Sequence, residues 1–469
     1  MKEKNAQRLN ILWIEADDIV QTFLNKRGDG FGFTPNLDKL AKKGVFFTNS
    51  ICQGPMCGPS RNSLLSNSYT HNLGFYRNCQ MKCMPENQWT FPHILKEHGY
   101  TTSYIGKSHF RPPAEHPDAD RVDALKYFYF DHAEFVPERF SLWKELSDGK
   151  DIKHYPFVQN LIKRGKYEQF LKDNNGYAKR STMTDDIDSP DGYTATRTVK
   201  YLNSQKTNEE PFFLWVAFSL PHAPYDASEK WYNIAEKLDI PPPPTDSFPY
   251  KVPEPLIKDN WDAPTGEELK EMRIGEAANI AFFDAQIGKI LDALEENGLS
   301  DNTAVFFFSD HSIFMGNHGR IHKGSLFIEP LRLSLTVSAP GHFLEDKVFT
   351  TPVELLDLVP TIFDIAEVNT PESTALNGKS LLPLLNGTQN KINREFVFSE
   401  IYEAQTAIDS KGKYHYIVSE ESDLLFDLEN DPYEMNNIAE THPEIAKEMK
   451  NAINEWLNKT HPVMPPGSF

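Results

Sequence analysis

Cysteine is scarce in this chain: Cys52, Cys57, Cys79 and Cys83 are the only four in 469 residues, and all fall in one short window. So few thiols exclude a disulfide framework, and the Cys52-to-Cys57 spacing is not the C-x-x-C of zinc or redox sites. A Cys79–Cys83 bridge is the one pairing left open, with reduced thiols as the default. Long apolar runs are also missing. The polar segment Met1–Arg8 leads directly into Asn10-Ile11-Leu12-Trp13-Ile14, with no signal-peptide core or membrane span. The chain is therefore expected in the cytoplasm, or in the periplasm or outside the cell if a leader has been removed. Positive charge is short as well. With 48 Lys and Arg against 67 Asp and Glu, the net charge is −19, which disfavours nucleic acid or an anionic membrane as a general partner. Any anionic ligand must be held by a local basic cluster. No internal repeat is visible.

What is present is ample for a large core, with 39% hydrophobic and 12% aromatic residues. Compact apolar runs predict buried strands at Asn10–Ala16, Val45–Phe47, Tyr100–Ile105, Pro211–Phe218, Thr303–Phe308 and Leu333–Val337. Helical spacing predicts helices at Pro35–Ala41, Trp89–Gly99, Tyr193–Asn203, Thr265–Asn297 and Pro352–Ile365 between them. This alternation argues for an α/β fold, a large, mixed but mostly parallel sheet wrapped by helices on both faces, over residues 1–375. Residues 376–469 read differently. Short strands at Phe396–Glu400, Lys413–Val418 and Leu424–Leu428, then a helix over Pro443–Asn458, predict a smaller antiparallel subdomain. From Arg111 to about Pro190 the pattern breaks down and reads as an insertion over the site, with weak helices such as Phe157–Lys172.

In an open α/β sheet, ligands collect beyond the carboxyl ends of the strands. Four strand ends here carry Asp17-Asp18, Lys107 with His109, His222 between two prolines, and Asp310-His311. Loops add Lys323 and the stretch Cys57-Gly58-Pro59-Ser60-Arg61, which reads as a reactive loop at a helix start, where an anion is favoured. Each element alone has a plain reading: Cys57 as a half-buried thiol by a helix cap, Asp17-Asp18 as a solvated turn. Together they describe more. Acids from two strands form an oxygen-rich cation site that suits Ca²⁺ or Mg²⁺ better than zinc. Arg61, Lys107, His109, His222 and Lys323 add an anion-binding ring, and a metal with cations is how a site grips a phosphoryl or sulfuryl group.

These residues resemble the type I sulfatases of the alkaline phosphatase superfamily along nearly the whole chain. Cys57-Gly58-Pro59-Ser60-Arg61 matches their C-x-P-S-R signature, and Leu65-Ser66 follows where the family continues. Gly106-Lys107-Ser108-His109 resembles the Gly-Lys-Trp-His segment, and Pro221-His222-Ala223-Pro224 the Pro-His-x-Pro segment. Ser309-Asp310-His311, His318-Gly319 and Lys323 resemble the second metal strand and its loop. Leu425 to Glu434 looks like a late family strand. The resemblance implies an alkaline phosphatase-like fold and a sulfatase in which a formylglycine-generating or anaerobic sulfatase-maturing enzyme converts Cys57 to formylglycine. It implies that Asp17, Asp18, Asp310, His311 and the converted Cys57 bind Ca²⁺, with Mg²⁺ as the second candidate. It further implies that Arg61 orients the hydrated aldehyde and that Lys107 and Lys323 bind sulfate. His109 would assist release of sulfate from the intermediate, and His222, with Lys323, would protonate the leaving oxygen.

The expected substrate is a sulfated small molecule, with a sulfated saccharide as the first choice. A phosphonate monoester or phosphodiester hydrolase is the second reading, and a non-catalytic sulfatase-like binding protein the third. Three departures bear on pocket shape more than on chemistry. Ser108 stands where an aromatic is usual, Ser312 where glycine follows the Asp310 pair, and Asn67 where glycine closes the signature. Arg111, His116, His318 and His322 are further polar residues that read equally as substrate contacts or as surface and structural groups.

Overall fold

A computed structural model of the protein describes residues 8–24, 30–78, 84, 88–110, 121–173, 179–207, 210–244, 246–368 and 376–460, with the side chains of 121–123 left aside. Cys79, Cys83, Arg111 and His116 lie outside the described residues. Among the described residues the main sheet has nine strands. Across it run Lys347–Phe349, Val45–Ile51, Arg332–Ser338, Thr303–Ser309, Asn10–Asp17, Phe212–Pro221, Thr101–Gly106 and His132–Phe135, and Val353–Glu354 also pairs with Val45–Ile51. All neighbours pair in parallel except Arg332–Ser338, which is antiparallel to both of its neighbours. The fold is thus the mixed, mostly parallel sheet read from the sequence.

The central strand Asn10–Asp17 is wholly buried because helices cover both faces of the sheet. Trp13 anchors one face, with ring centroids 5.1 Å from Phe91, 5.2 Å from Phe213 and 5.2 Å from Trp215. Truncating such a residue costs about 3–5 kcal/mol. The Cys57–Ser66 helix packs Leu64 and Leu65 into the core on that face. On the other face the long Glu267–Glu296 helix packs Ile280, Phe283 and Ile287 against Leu12, Ile14 and Phe307.

Register then decides what meets at the carboxyl edge. Ala16 pairs with Ser309, and Asp17 with Pro221. Beyond the ladder, the Asp310 N–H donates to Ala16 O at 3.1 Å and the His222 N–H to Asp17 O at 3.1 Å. Gly106 has φ 126°, and a Cβ there would fall 1.9 Å from Ala217 O, so only glycine permits this approach. The next residue, Lys107, donates its N–H to Ala217 O at 2.8 Å. Asp17, Lys107, His222 and Asp310 therefore arrive at one level.

The stretch read as an insertion differs in part. His132–Phe135 is an edge strand parallel to Thr101–Gly106. Four residues are too few to show alternation. The Phe157–Lys172 helix is two, Pro156–Lys163 and Tyr167–Lys172, separated at Gly165 with φ 69°. Near the C-terminus, Phe396–Ile401, Ala404–Asp409, Tyr414–Ser419 and Asp423–Asp427 form an antiparallel sheet covered by the Pro443–Lys459 helix. Glu434 is buried there beside His415 and accepts the Ile328 N–H at 2.8 Å, which ties the small sheet to the large one. Among the described residues no helix is long and apolar enough to cross a membrane.

Candidate active site

The Cys57–Ser66 helix begins at Cys57 itself and is buried along its whole length. Two side chains fix its start: Ser60 Oγ donates to Asp310 O at 2.6 Å, and Asn62 Nδ2 donates to His109 O at 3.0 Å. The helix N-terminus offers few backbone donors, since the Gly58 N–H goes to Asn78 Oδ1 at 2.8 Å and Pro59 has none. Positive charge near Cys57 comes instead from side chains.

Cys57 Sγ lies 3.5 Å from Asp17 Oδ1, 3.2 Å from His311 Nε2 and 3.2 Å from Lys323 Nζ. Burial and Asp17 oppose ionisation of the thiol, but Lys323, Lys107 and His311 outweigh them and hold it well below its ordinary value. Lys323 Nζ donates to Asp18 Oδ1 at 2.7 Å, and His222 Nε2 stands 3.7 Å from Asp18 Oδ2. His311 Nδ1 is 3.2 Å from Asp18 Oδ1. The structure thus brings Asp17, Asp18, Cys57, His222, Asp310, His311 and Lys323 together, with Lys107 and His109 beside them.

Arg61 is fully buried and divided among three carboxylates. It donates from Nη1 to Glu15 at 2.7 Å, from Nη2 to Asp17 at 2.9 Å and from Nε to Asp310 at 2.9 Å. Its fork therefore organises the acids, where the sequence had suggested that it would hold an anion.

Electrostatics follow from crowding like charges out of water. Burial and Asp17 push the Asp310 carboxyl up to about 6. Burial would raise Asp17 too, yet Lys107, Arg61 and Lys323 hold it well below the usual carboxylate range. Burial disfavours charge on His311, but Asp310 raises it to about 9. Lys107 and Lys323 are held charged against burial by Asp17 and Asp18 respectively. Burial lowers His109.

Two acids of the site escaped the sequence reading. Glu15 shares a strand face with Trp13 and Asp17, accepting from Arg61 and from Trp215 Nε1 at 2.8 Å; its period-2 spacing from Asp17 was the available signal. Glu138 stands 2.5 Å from Lys107 Nζ and comes from the stretch with no legible pattern. The remaining polar residues separate. His318 is buried and stacked on Phe248 at 4.1 Å, a packing role. His322 lies near Asp18 and Lys323, with burial lowering it to about 4, and Trp261 packs on it edge-on at 4.3 Å.

The family model described as Sulfatase matches residues 9–368, and one described as N-sulphoglucosamine sulphohydrolase, C-terminal, matches residues 316–459. The chain belongs to the sulfatase family. Relatives include a choline-sulfatase of Rhizobium meliloti (strain 1021), 26% identical and covering 92% of this chain and 82% of that one. An arylsulfatase of Clostridium perfringens (strain 13 / Type A) is also 26% identical, covering 92% and 90%. In fold, the chain is similar to a phosphonate monoester hydrolase of Agrobacterium radiobacter, with TM-score 0.79, 21% identity and 96% of each chain covered. The protein is a sulfuric ester hydrolase.

Proposed function

We propose that the protein hydrolyses a sulfate ester, of a sulfated carbohydrate, through a formylglycine made from Cys57 and a divalent cation. The observation that carries this reading is the position of Cys57 Sγ, within 3.5 Å of Asp17, His311 and Lys323 at a buried helix start. Sγ there stands in for the oxygens of the converted residue. Its hydrate supplies two hydroxyls on one carbon, one to attack sulfur and one whose deprotonation expels sulfate. The carbohydrate is supported by the N-sulphoglucosamine sulphohydrolase model over residues 316–459.

The donor set fits a cation. Ligand atoms of Asp17, Cys57, Asp310 and His311 lie within 4.8 Å of one another, and burial beside Asp17 disfavours charge on Asp310 unless a cation relieves it. Asp17, Asp18, Asp310, His311 and converted Cys57 would hold Ca²⁺, or Mg²⁺ as the second candidate. A cation held there would supply Lewis-acid polarisation of the sulfate oxygens and would lower the pKa of the attacking hydroxyl. Arg61 keeps three carboxylates in place. Lys107 and Lys323 bind sulfate oxygens, His109 takes the proton as sulfate departs, and His222, with Lys323, protonates the leaving oxygen. Residues 1–375 form the catalytic unit and 376–469 its subdomain.

Co-expression with a sulfatase-maturing enzyme tests the reading. Aryl sulfate turnover is expected only in the matured protein and is expected to vanish in Cys57→Ala. Substantial residual turnover in that variant would contradict it.

A further inference from the structure

Lys107 does more than face Asp17. Its Nζ is 2.7 Å from Asp17 Oδ2 on one side and 2.5 Å from Glu138 Oε2 on the other. The lysine side chain is 2% exposed and that of Glu138 11%. Glu138 immediately precedes the Arg139–Ser147 helix, and with His222 and Asp226 it lines a cavity adjoining the site. Its carboxylate faces Lys107, His222 and His109 together, and although burial opposes ionisation, Lys107 and His222 hold it charged. Asp17 alone already gives Lys107 a partner. A second carboxylate reduces what the ammonium can offer to a bound anion and sets a negative charge a few ångström from any oxygen that Lys107 holds.

We propose that Glu138 sets the charge the site accepts, admitting esters that carry one negative charge and repelling those that carry two. The inference rests on the sulfatase reading above. A sulfate monoester is a monoanion, whereas a phosphate monoester above its second pKa, near 6, is a dianion. Inorganic sulfate, the product, is also a dianion, so the same carboxylate favours its departure. Asp17, Asp18 and Asp310 do not serve this purpose, because a cation bound among them would offset their charge, whereas Glu138 stands on Lys107 outside that donor set. One extra charge a few ångström from a carboxylate in a partly dry pocket corresponds to about a 10- to 100-fold effect.

The test uses matured wild-type enzyme, Glu138→Gln and Glu138→Asp at pH 8, reading kcat/KM for an aryl sulfate and an aryl phosphate, and the inhibition constant of inorganic sulfate. Glu138→Gln is expected to raise the phosphate-to-sulfate ratio by about 10- to 100-fold and to tighten sulfate inhibition by a similar factor. Glu138→Asp keeps the charge and is expected to stay near wild type in both. Equal losses on both esters, with sulfate inhibition unchanged, would mean that Glu138 only positions Lys107 and would overturn the proposal. Should Glu138→Gln fail to fold, wild type alone decides. Inorganic phosphate should inhibit more strongly as falling pH converts its dianion to the monoanion, with inorganic sulfate as the control of constant charge, and equal binding of both phosphate forms would refute it. A matured wild type without aryl sulfate turnover would sink the sulfatase reading and this inference with it, whereas normal turnover with unchanged ratios would sink only the inference.

Discussion

Arg61 Nε donates to Asp310 Oδ2 at 2.9 Å, joining the helix that begins at Cys57 to the strand end that carries Asp310 and His311. The same guanidinium holds Glu15 and Asp17, so one side chain neutralises acids from two strands at zero exposure. Removing one partner of such a cluster leaves buried charge uncompensated. Arg61→Ala is expected to lose about 3–5 kcal/mol of stability, and Arg61→Lys most of that, because an ammonium cannot span three carboxylates. Urea unfolding checks both; a loss below about 1 kcal/mol in Arg61→Ala would contradict the organising role.

Asn67 explains a departure from the family signature. It ends the Cys57–Ser66 helix in the left-handed region with φ 49°, where glycine is usual. Its side chain donates to Leu356 O at 2.7 Å and accepts the Asn377 N–H at 2.8 Å. Asn67→Ala keeps the backbone cost and loses both bonds, so a destabilisation of about 1–3 kcal/mol is expected. Asn67→Gly removes the backbone cost and should lose less. Equal stability of all three proteins in denaturant would show that neither bond matters.

Cation binding should be visible without turnover. The carboxylates of Asp17 and Asp310 repel each other across a dry site, so Ca²⁺ should raise the melting temperature of the matured protein, by an amount equivalent to about 2.7 kcal/mol at a hundredfold excess over its Kd. Chelator should reverse the shift, and Asp310→Ala should abolish it. A full shift in that variant would place the cation elsewhere.

A pH dependence arises at a second buried acid cluster, around Glu354. Arg394 engages Asp357 through both nitrogens, so the neighbouring Glu354 is left with the weaker share. Burial, reinforced by Asp357 against the pull of Arg394, raises Glu354 to about 7. The folded protein then holds a proton that the unfolded chain, with an ordinary glutamate value near 4.5, has already released. The stability from this group is complete below that lower value and falls as pH rises towards 7, by roughly 3 kcal/mol at most. Glu354→Gln carries no such titration. Relative to wild type it should therefore gain stability between pH 5 and pH 8, and an unchanged difference would refute the shift.

The strand ends were legible because each is a compact apolar run followed by charged residues, as in Ile11–Ile14 before Asp17 and Phe306–Phe308 before Asp310. Parallel register then aligns them without further instruction. Orientation was less legible: Arg332–Ser338 reads like any buried strand, and its antiparallel direction comes from pairing between two distant strands. Glu138 was invisible because nothing local marks a lone glutamate after a proline, and its meaning comes from a lysine 31 positions earlier in the chain. The groups that lower the Cys57 thiol, Lys323, Lys107 and His311, are likewise ones that only folding brings near.

The most direct test of the central claim is the ratio of kcat/KM for aryl sulfate to that for aryl phosphonate, measured on one matured sample. Sulfate turnover is expected to exceed phosphonate turnover, and both are expected to disappear in Cys57→Ala. Phosphonate turnover far above sulfate turnover would contradict it.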